Sequence, residues 1–362
     1  MILIVDFTCM REESHSWDSL VKFQEEIQAL HVTPTFICIP RSVVFDQKKN
    51  SYLKFLEINP FIDLLSGNSN VMNIFQFTKR TTKIFFEIGR LLRDQEVKKL
   101  VWVNADTSSL LACNLYSFLY RNTTYHLRFI GWPEFWAPFN SRLLKLLVKI
   151  ADKRKNIHLA FETSSLKTFL GSSGTVVPYP LSQSRENENK KCHIFLVGSA
   201  RQEKGFDQMP TFAESLAKHL PEYKLILQQS TTPWVGYSNT LERLNRLENV
   251  VVLPAFLERE DLDSVLHSTA ITILPYEPSS YKLRGSAALF ESVENNIPVV
   301  AYSGVGFASD IERFHLGLVA LSQNDLLRCV RQLTSSSVKA MGFEPYRNYS
   351  IFQLKIWINY LK

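Results

Sequence analysis

The chain has 362 residues, of which 45% are hydrophobic and 21% charged. It is therefore long enough for two domains and too apolar to be disordered. Its 41 Lys and Arg against 35 Asp and Glu give a net charge of +6. This excess is too small for a dedicated nucleic-acid binder, and we expect no nucleic-acid partner. The five cysteines are scattered without a Cys-x-x-Cys pair, which excludes a zinc ribbon and favours a reducing compartment.

Short β-type runs alternate with longer helical patterns along the whole chain. In the first half the predicted strands are Ile2–Val5, Thr35–Ile39, Leu100–Asn104, His126–Ile130 and His158–Phe161. In the second half they are His193–Val197, Leu225–Gln228, Val250–Leu253, Ile271–Leu274 and Pro298–Ala301. Apolar residues recur at helical spacing between them, for example in Trp17–Leu30, Thr78–Asp94, Phe212–Leu220 and Ala287–Asn295. This alternation is typical of α/β domains with parallel sheets covered on both faces.

A polar segment, Ser182–Lys191, separates the two series of elements and reads as an interdomain linker. Two Rossmann-like domains of similar size would leave a cleft between the carboxyl ends of their strands, where such folds bind ligands. The net charge lies entirely on the first half. Residues 1–180 contain 22 basic and 16 acidic residues, whereas residues 181–362 contain 19 of each.

No run of the sequence reaches the roughly 18 apolar residues of a membrane helix. The opening residues also lack the basic start of a signal peptide. We therefore expect a cytoplasmic protein.

The loop that follows the predicted strand His193–Val197 carries the clearest candidate chemistry. Gly198 comes directly after the strand and permits a tight turn, and Arg201 and Lys204 follow before Gly205. Two cations beside the end of a strand suit a diphosphate, with forked donors from arginine and a point charge from lysine. An exposed loop with ordinary surface charges fits this segment equally well. The chain has neither a P-loop motif nor a Gly-x-Gly-x-x-Gly fingerprint, which disfavours a nicotinamide dehydrogenase.

A second cluster follows the predicted strand Ile271–Leu274. Its loop carries Tyr281 and Arg284, and Gly285–Ser286 opens a helical pattern. The start of that helix would offer N–H groups and the positive end of its dipole to an anion, and Arg284 would add charge. Glu291 lies further along the same helix among apolar neighbours. A lone glutamate in a helix usually lies on the solvated surface. Beside an anion site, however, it can accept a hydrogen bond from a hydroxyl of a sugar or ribose.

In this order and spacing, the two clusters resemble the donor domain of retaining GT-B glycosyltransferases of the group 1 type, similar to glycosyltransferase family 4. The resemblance covers about residues 190–362 and is only architectural before that. It implies that Arg201 and Lys204 bind the diphosphate of a nucleotide-sugar donor and that Glu291 belongs with them to the catalytic set. The donor-binding residues that it implies are Gly198, Phe256, Leu257, Glu260, Tyr281, Arg284, Gly285 and Ser286.

The chain departs from the family at one position. The family motif is a glutamate, seven further residues and a second glutamate, but the residue eight positions before Glu291 is Leu283. The contact that the first glutamate makes with the transferred sugar is therefore missing or replaced, with Glu277 and Arg284 as the alternatives.

The resemblance implies a fold, GT-B, which is an α/β architecture of two Rossmann-like domains facing each other across a cleft. It places an acceptor domain at residues 1–181, a nucleotide-sugar donor domain at 182–345, and a final helix at 346–362 that crosses back to the first domain. The function it implies is transfer of a sugar from a nucleoside diphosphate to a hydroxyl of a glycan or lipid-linked saccharide, with retention of configuration. We expect a role in polysaccharide biosynthesis, without a cofactor or a divalent metal.

The first domain offers three candidates for the acceptor side. His15 lies in the segment after the first strand, Asp106 follows the predicted strand Leu100–Asn104, and Glu134 stands between two tryptophans. Each has an ordinary alternative. A histidine in a polar loop is commonly plain surface, Asp106 can cap the helix that follows it, and aromatic residues beside a carboxylate often pack in a core.

The basic excess of the first half is concentrated in residues 142–155. Arg142, Lys145 and Lys149 share one face of a predicted helix, and leucines fill another. Such a helix either rests on an anionic membrane surface or packs its apolar face in the core. With the charge asymmetry, this makes an anionic membrane surface a further expected partner and places the protein at the inner face of the membrane or free in the cytoplasm.

Two other classes of function stay open at this point. One is a non-catalytic GT-B relative that binds a nucleotide or glycan, which Leu283 favours. The other is a sugar-nucleotide epimerase with the same architecture. A non-catalytic protein would bind the donor without transferring or hydrolysing its sugar, unlike a glycosyltransferase. An epimerase would interconvert sugar nucleotides with no acceptor present.

Overall fold

The computed structural model describes residues 1–6, 15–30, 34–40, 53–56, 70–94, 96–131, 138–181, 192–335 and 341–359. The chain divides into two compact units. The first comprises Met1–Pro180 together with Ser350–Lys362, and the second comprises Leu181–Tyr349. Each unit is built on one parallel sheet with helices on its faces.

The first unit contains a seven-stranded sheet with the order β3-β2-β1-β4-β5-β6-β7. Its strands are β1 Ile2–Val5, β2 Thr35–Pro40, β3 Leu53–Leu56, β4 Lys99–Ala105, β5 Thr124–Phe129, β6 Ile157–Phe161 and β7 Thr175–Val176. Its helices are α1 His15–Leu30, α2 Asn70–Asp94, α3 Thr107–Leu119, α4 Pro138–Ala151 and α5 Ser164–Leu170. The central strands are buried over nearly their whole length, as expected where helices cover both faces.

The core on one face of this sheet includes the end of the chain. Phe23 of α1 packs in one cluster with Ile4 and Val101 of the sheet and with Leu354 and Trp357. The indole N–H of Trp357 donates to the carbonyl of His158, at 2.9 Å. The last turns of the final helix thus belong to the first unit.

The second unit contains a six-stranded sheet with the order β10-β9-β8-β11-β12-β13. Its strands are β8 His193–Ser199, β9 Lys224–Gln228, β10 Val250–Leu253, β11 Thr269–Leu274, β12 Val299–Tyr302 and β13 Gly317–Ala320. Its helices are α6 Met209–His219, α7 Tyr237–Asn245, α8 Arg259–Ser268, α9 Pro278–Tyr281, α10 Ala287–Glu294, α11 Ala308–Arg313 and α12 Gln323–Thr334. Helix α13, Phe343–Asn359, begins in this unit and ends in the first.

The predicted α/β class is confirmed, and each of the ten predicted strands is present with ends shifted by two residues or less. The structure adds β3, β7 and β13, which the sequence did not indicate. β7 has only two residues, and Lys54 interrupts the apolar run of β3. β13 begins at Gly317, a residue type that weakens the strand signal.

Helix α13 is fixed to the second sheet's helices through a buried carboxylate. The hydroxyl of Tyr346 donates to Oδ2 of Asp310 in α11, at 3.2 Å. Burial raises the pKa of Asp310 to about 6, although the hydrogen bond from Tyr346 and the charge of Arg313 oppose this. The folded state therefore binds a proton at Asp310 more tightly than the unfolded chain does.

This shift predicts a pH-dependent effect of Asp310→Asn. Because the folded-state pKa lies above the unfolded value, the carboxylate destabilises the fold increasingly as the pH rises through about 6. The variant lacks this ionisation, so its free energy of unfolding relative to the native protein should improve by about 1–2 kcal/mol between pH 5 and pH 7.5. Urea denaturation at the two pH values measures this change. An equal difference at both would contradict it.

Candidate functional site

The candidate site lies in the second unit, where the connections of the sheet change direction. Strands β8 and β11 are parallel neighbours, but the chain leaves β8 for β9 on one side and leaves β11 for β12 on the other. In open α/β sheets ligands bind outside the carboxyl ends of the strands at such a point. The loops that carry the two predicted clusters leave the sheet here.

Two glycines shape the end of β8 and the loop after it. Gly198 has φ +92, and a Cβ there would lie 2.8 Å from Nζ of Lys204. Its lack of a side chain lets the ammonium approach the backbone of the strand end. Gly205 has φ +76, and a Cβ there would lie 2.4 Å from the carbonyl oxygen of Pro275. The two loops are therefore in direct contact at a position that accepts only glycine.

A backbone hydrogen bond also joins the two loops. The N–H of Glu277, after β11, donates to the carbonyl of Glu203, after β8, at 2.9 Å. Next to this bond, Lys204 follows Glu203 and Tyr276 precedes Glu277 in the sequence. Nζ of Lys204 lies 5.4 Å from the centroid of the buried Tyr276 ring. An ammonium over an aromatic face is stabilised by the ring quadrupole.

Three cations from the two loops act on one another. Burial and the charges of Arg201 and Arg284, opposed by the charge of Glu203, together lower the pKa of Lys204 to about 8. Among the residues that the structure describes, the one carboxylate paired with any of the three is that of Glu203, which is 3.7 Å from Arg201 and half-buried. The site therefore carries a net positive charge that an anion would neutralise.

Arg284 is oriented by an aromatic pair. Its guanidinium carbon lies 4.5 Å from the centroid of Tyr281, whose ring is 4.5 Å from that of Tyr276. Burial raises the pKa of Tyr276, and its side chain is hydrogen-bonded to Ser286. The N–H of Gly306 donates to the carbonyl of Tyr281, at 2.8 Å, and fixes this loop from the β12 side.

Helix α10 begins beside these groups. Gly285 leads to Ser286, which is the N-cap, and its hydroxyl accepts from the N–H of Leu289. The first turn of a helix carries a positive partial charge and attracts anions. The structure thus brings together Gly198, Lys204, Arg201, Arg284 and the start of α10. Their role in binding a diphosphate stays a prediction.

Glu291 has a partner that the sequence did not reveal. Its carboxylate accepts two hydrogen bonds from Arg259 at the start of α8, at 2.9 and 3.2 Å. Arg259 also forms a salt bridge with Asp263, at 2.8 Å. Forked pairing of this kind fixes the orientation of a carboxylate. Glu291 is 8% exposed, so Arg259 positions the glutamate within α10.

The residues predicted to contact the base and the nucleoside lie between β10 and the first turn of α8. Phe256 is exposed, with 56% of its surface accessible, and Leu257 is half-buried. Glu260 lies in the first turn of α8 and is exposed. An exposed phenylalanine offers an apolar surface that a planar ring can cover. Leu283, eight residues before Glu291, is buried.

In the first unit, Asp106 has a structural role. It is the N-cap of α3 in a capping box with Ser109, and Oδ1 accepts from the N–H and hydroxyl of that serine. Oδ2 is 2.7 Å from Arg80. The sequence allowed Asp106 to serve either the acceptor or the cap of a helix, and in the structure it caps α3. Both of its carboxylate oxygens have partners, and the residue is buried.

The other two residues predicted for the acceptor side are His15 and Glu134. Helix α1 begins at His15, but the side chain of this residue is outside the described part of the chain. Glu134 lies outside it altogether. Their roles stay predictions.

Within the described ranges, no group of three or more His, Cys, Asp and Glu side chains is arranged to bind a metal ion. The sequence contains one Asp-x-Asp pattern, Asp261 to Asp263, which lies in α8 where Asp263 pairs with Arg259. None of the described helices is long and apolar enough to span a membrane.

No model of a known protein family and no curated protein matches the chain, but solved structures match nearly all of it. WaaG, a glycosyltransferase involved in lipopolysaccharide biosynthesis, is 14% identical, with a TM-score of 0.60 over 99% of this chain and 98% of its own. HepE of Anabaena, solved with UDP and glucose, is 12% identical, with 0.61 over 99% and 98%. Trehalose 6-phosphate synthase of Burkholderia multivorans is 11% identical, with 0.61 over 99% and 96%. The similarity confirms the predicted GT-B fold class.

The position of Gly198 predicts a specific effect of Gly198→Ala. The added Cβ must displace Nζ of Lys204, so we expect the affinity for UDP to fall by ~10-fold, the effect of weakening one charge-assisted hydrogen bond. Isothermal titration calorimetry measures the change.

Gly171→Ala is the matched control. Gly171 also has a positive φ, +65, but nothing lies within 4 Å of its added Cβ. It therefore carries the same kind of backbone strain without a displaced neighbour. Equal losses of UDP affinity in the two variants would contradict the close approach of Lys204 to the strand end.

Proposed function

We propose that the protein is a glycosyltransferase that moves a sugar from a nucleoside diphosphate sugar to a hydroxyl acceptor. The observation that carries this proposal is the convergence of Arg201, Lys204 and Arg284 at the direction change of the second sheet. The GT-B fold supports it, because solved structures of that fold include the glycosyltransferase WaaG. In this proposal the second unit binds the donor and the first unit the acceptor.

The three cations would act on the leaving group. As the bond between sugar and diphosphate breaks, negative charge develops on the phosphate oxygens and positive charge on the sugar. Cations fixed beforehand stabilise the developing charge without reorganisation of solvent. Lys204 and Arg201 would contact the diphosphate, with the start of α10 and Arg284 completing its binding site. We propose that this charge serves in place of a divalent metal.

Retention of configuration is part of the proposal. A diphosphate held on one face of the sugar can itself receive the proton of the incoming hydroxyl, and the new bond then forms on the face that the leaving group occupied. This route needs no separate protein base. Its requirement is that the diphosphate stay in place during transfer, which the same cations provide.

Glu291 would accept a hydrogen bond from a hydroxyl of the donor, on either the ribose or the sugar. Each oxygen of this carboxylate accepts one hydrogen bond from Arg259. Each oxygen can still accept a further hydrogen bond. Phe256 and Leu257 would contact the base, and Glu260 the nucleoside. The HepE structure contains UDP and glucose, which makes a uridine nucleotide the first donor to test.

A second candidate is a protein of this fold that binds a nucleotide sugar without transferring it. The buried Leu283 favours it, because an apolar side chain occupies the position of the acid found in the related family. The two candidates differ in one measurement. An enzyme releases free nucleotide from its donor sugar, by transfer or slow hydrolysis, whereas a binding protein leaves the donor intact.

A thermal-shift screen against UDP, GDP and their common sugars identifies the nucleotide, because a ligand that binds only the folded state raises the melting temperature. With the donor known, Lys204→Ala and Arg201→Ala should each reduce release of nucleotide from the donor by ~10²-fold, as for the loss of a donor that stabilises an oxyanion. Lys218→Ala, an exposed lysine on α6, is the control. Near-normal turnover in both site variants would refute the assignment.

The lowered pKa of Lys204 predicts how UDP affinity depends on pH. The ammonium is charged below about 8 and loses its proton above that value. A bound diphosphate stabilises the charged form, so the affinity should be constant near pH 7 and decrease by up to ~10-fold per pH unit above 8. Calorimetry between pH 7 and 9.5 measures this.

Lys204→Arg should remove this pH dependence, because a guanidinium stays charged throughout the range. A native profile that stays flat to pH 9.5, or an unchanged slope in the arginine variant, would show that another group controls binding.

A further inference from the structure

Tyr276 is a buried tyrosine that lies against both loops of the candidate site and is not among the predicted site residues. It follows β11 with only Pro275 between them and is 1% exposed. Its ring centroid is 4.5 Å from that of Tyr281 in α9 and 6.0 Å from that of Phe307, which meets it edge-on at 83°. Because aromatic contacts of this kind have a preferred geometry, the two neighbouring rings fix the orientation of the Tyr276 ring.

The face of the Tyr276 ring lies close to the ammonium of Lys204. Nζ is 5.4 Å from the ring centroid, within the distance of about 6 Å at which an aromatic quadrupole attracts a cation. Lys204 is half-buried, so its ammonium has lost part of its hydration, and this loss favours the neutral amine. The ring therefore stabilises the charged form of Lys204 where water does so less.

The groups that face Lys204 show why a neutral partner matters. Burial lowers the pKa of Lys204, the charges of Arg201 and Arg284 act in the same direction, and Glu203 opposes them. A carboxylate in place of the ring would also keep the lysine charged, but it would repel a phosphate. An aromatic ring stabilises the ammonium and leaves its positive charge available to an anion.

The hydroxyl of Tyr276 connects the same side chain to the start of α10. Tyr276 is hydrogen-bonded to Ser286, the N-cap residue whose hydroxyl oxygen accepts from the N–H of Leu289, at 3.3 Å. The ring and the hydroxyl belong to one rigid planar group. One side chain therefore contacts both the Lys204 ammonium and the cap of the helix that would face the anion.

We propose that Tyr276 is a positioning residue of the diphosphate site. Its ring keeps Lys204 charged, and its hydroxyl holds the first turn of α10 beside the ammonium, so that both act on the same anion. The identity of that anion as a nucleoside diphosphate rests on the proposed function, whereas the effect of the ring on Lys204 does not.

The pKa of Lys204 tests the role of the ring in the absence of a nucleotide. Acetic anhydride acylates only the neutral amine, so the rate of labelling of Lys204 against pH, followed by mass spectrometry of its peptide, gives this pKa. Tyr276→Leu should lower it by about one pH unit, because the charged form loses the attraction of the ring. Tyr276→Phe retains the ring and should keep the native value.

Calorimetry with UDP tests the role of the hydroxyl. At pH 6, where Lys204 is charged in every variant, Tyr276→Phe should bind UDP ~5-fold more weakly than the native chain, the effect of losing one hydrogen bond. Tyr276→Leu should lose at least as much affinity at pH 6. Its affinity should also begin to decrease about one pH unit below the native onset, as the lower pKa of Lys204 requires.

Phe307→Leu is the matched control for lost packing. Phe307 is 1% exposed and contacts the Tyr276 ring, so the variant loses a buried aromatic side chain from the same cluster. The ring over Lys204 remains, and the pKa of Lys204 should stay at the native value. Urea denaturation compares the stability of the variants, and circular dichroism checks that they are folded.

An unchanged or raised pKa of Lys204 in Tyr276→Leu would overturn the proposal. A shift of the same size in Phe307→Leu would also overturn it, because lost packing would then account for the effect. Native affinity for UDP in Tyr276→Phe would refute the role of the hydroxyl. A native chain that binds no nucleotide would refute the proposed function, and the pKa of Lys204 in Tyr276→Leu would still decide the role of the ring.

Discussion

Three like charges held in one half-buried site are the constraint on which the account of the second unit depends. Arg201, Lys204 and Arg284 come from two loops, and their mutual repulsion, together with burial, lowers the pKa of Lys204. Such an arrangement costs free energy in an empty site and is relieved by an anion. The fold maintains it through Gly198, which admits the ammonium, and Gly205, which admits Pro275 of the neighbouring loop. Among the described residues, the three cations thus have one paired carboxylate, that of Glu203, and the site keeps a net positive charge that a phosphate would stabilise.

The two units use charged residues in different ways. In the second unit the cations are concentrated at the ends of β8 and β11. In the first unit buried charges are paired structurally, as Asp106 is with Arg80. This difference fits the proposed division in which the second unit binds a small charged donor and the first unit binds the acceptor.

The parts of the fold and site that could be predicted are those encoded by neighbouring residues. The strands of apolar residues, the glycine near the end of β8 and the serine at the start of α10 are local signals. Arg259 was missed as the partner of Glu291 because the pair is 32 residues apart and a first-turn arginine usually lies in solvent. Asp106 had two possible roles in the sequence, and its contacts with Ser109 and Arg80 in the structure distinguish them.

The most direct test of the central claim is a crystal structure of the protein with UDP. The account predicts that the diphosphate lies between the loops after β8 and β11, with phosphate oxygens within hydrogen-bonding distance of Nζ of Lys204 and of the first N–H groups of α10. The guanidinium of Arg201 or Arg284 should make a further contact. A nucleotide bound elsewhere on the chain, or a diphosphate that touches none of these three side chains, would contradict it.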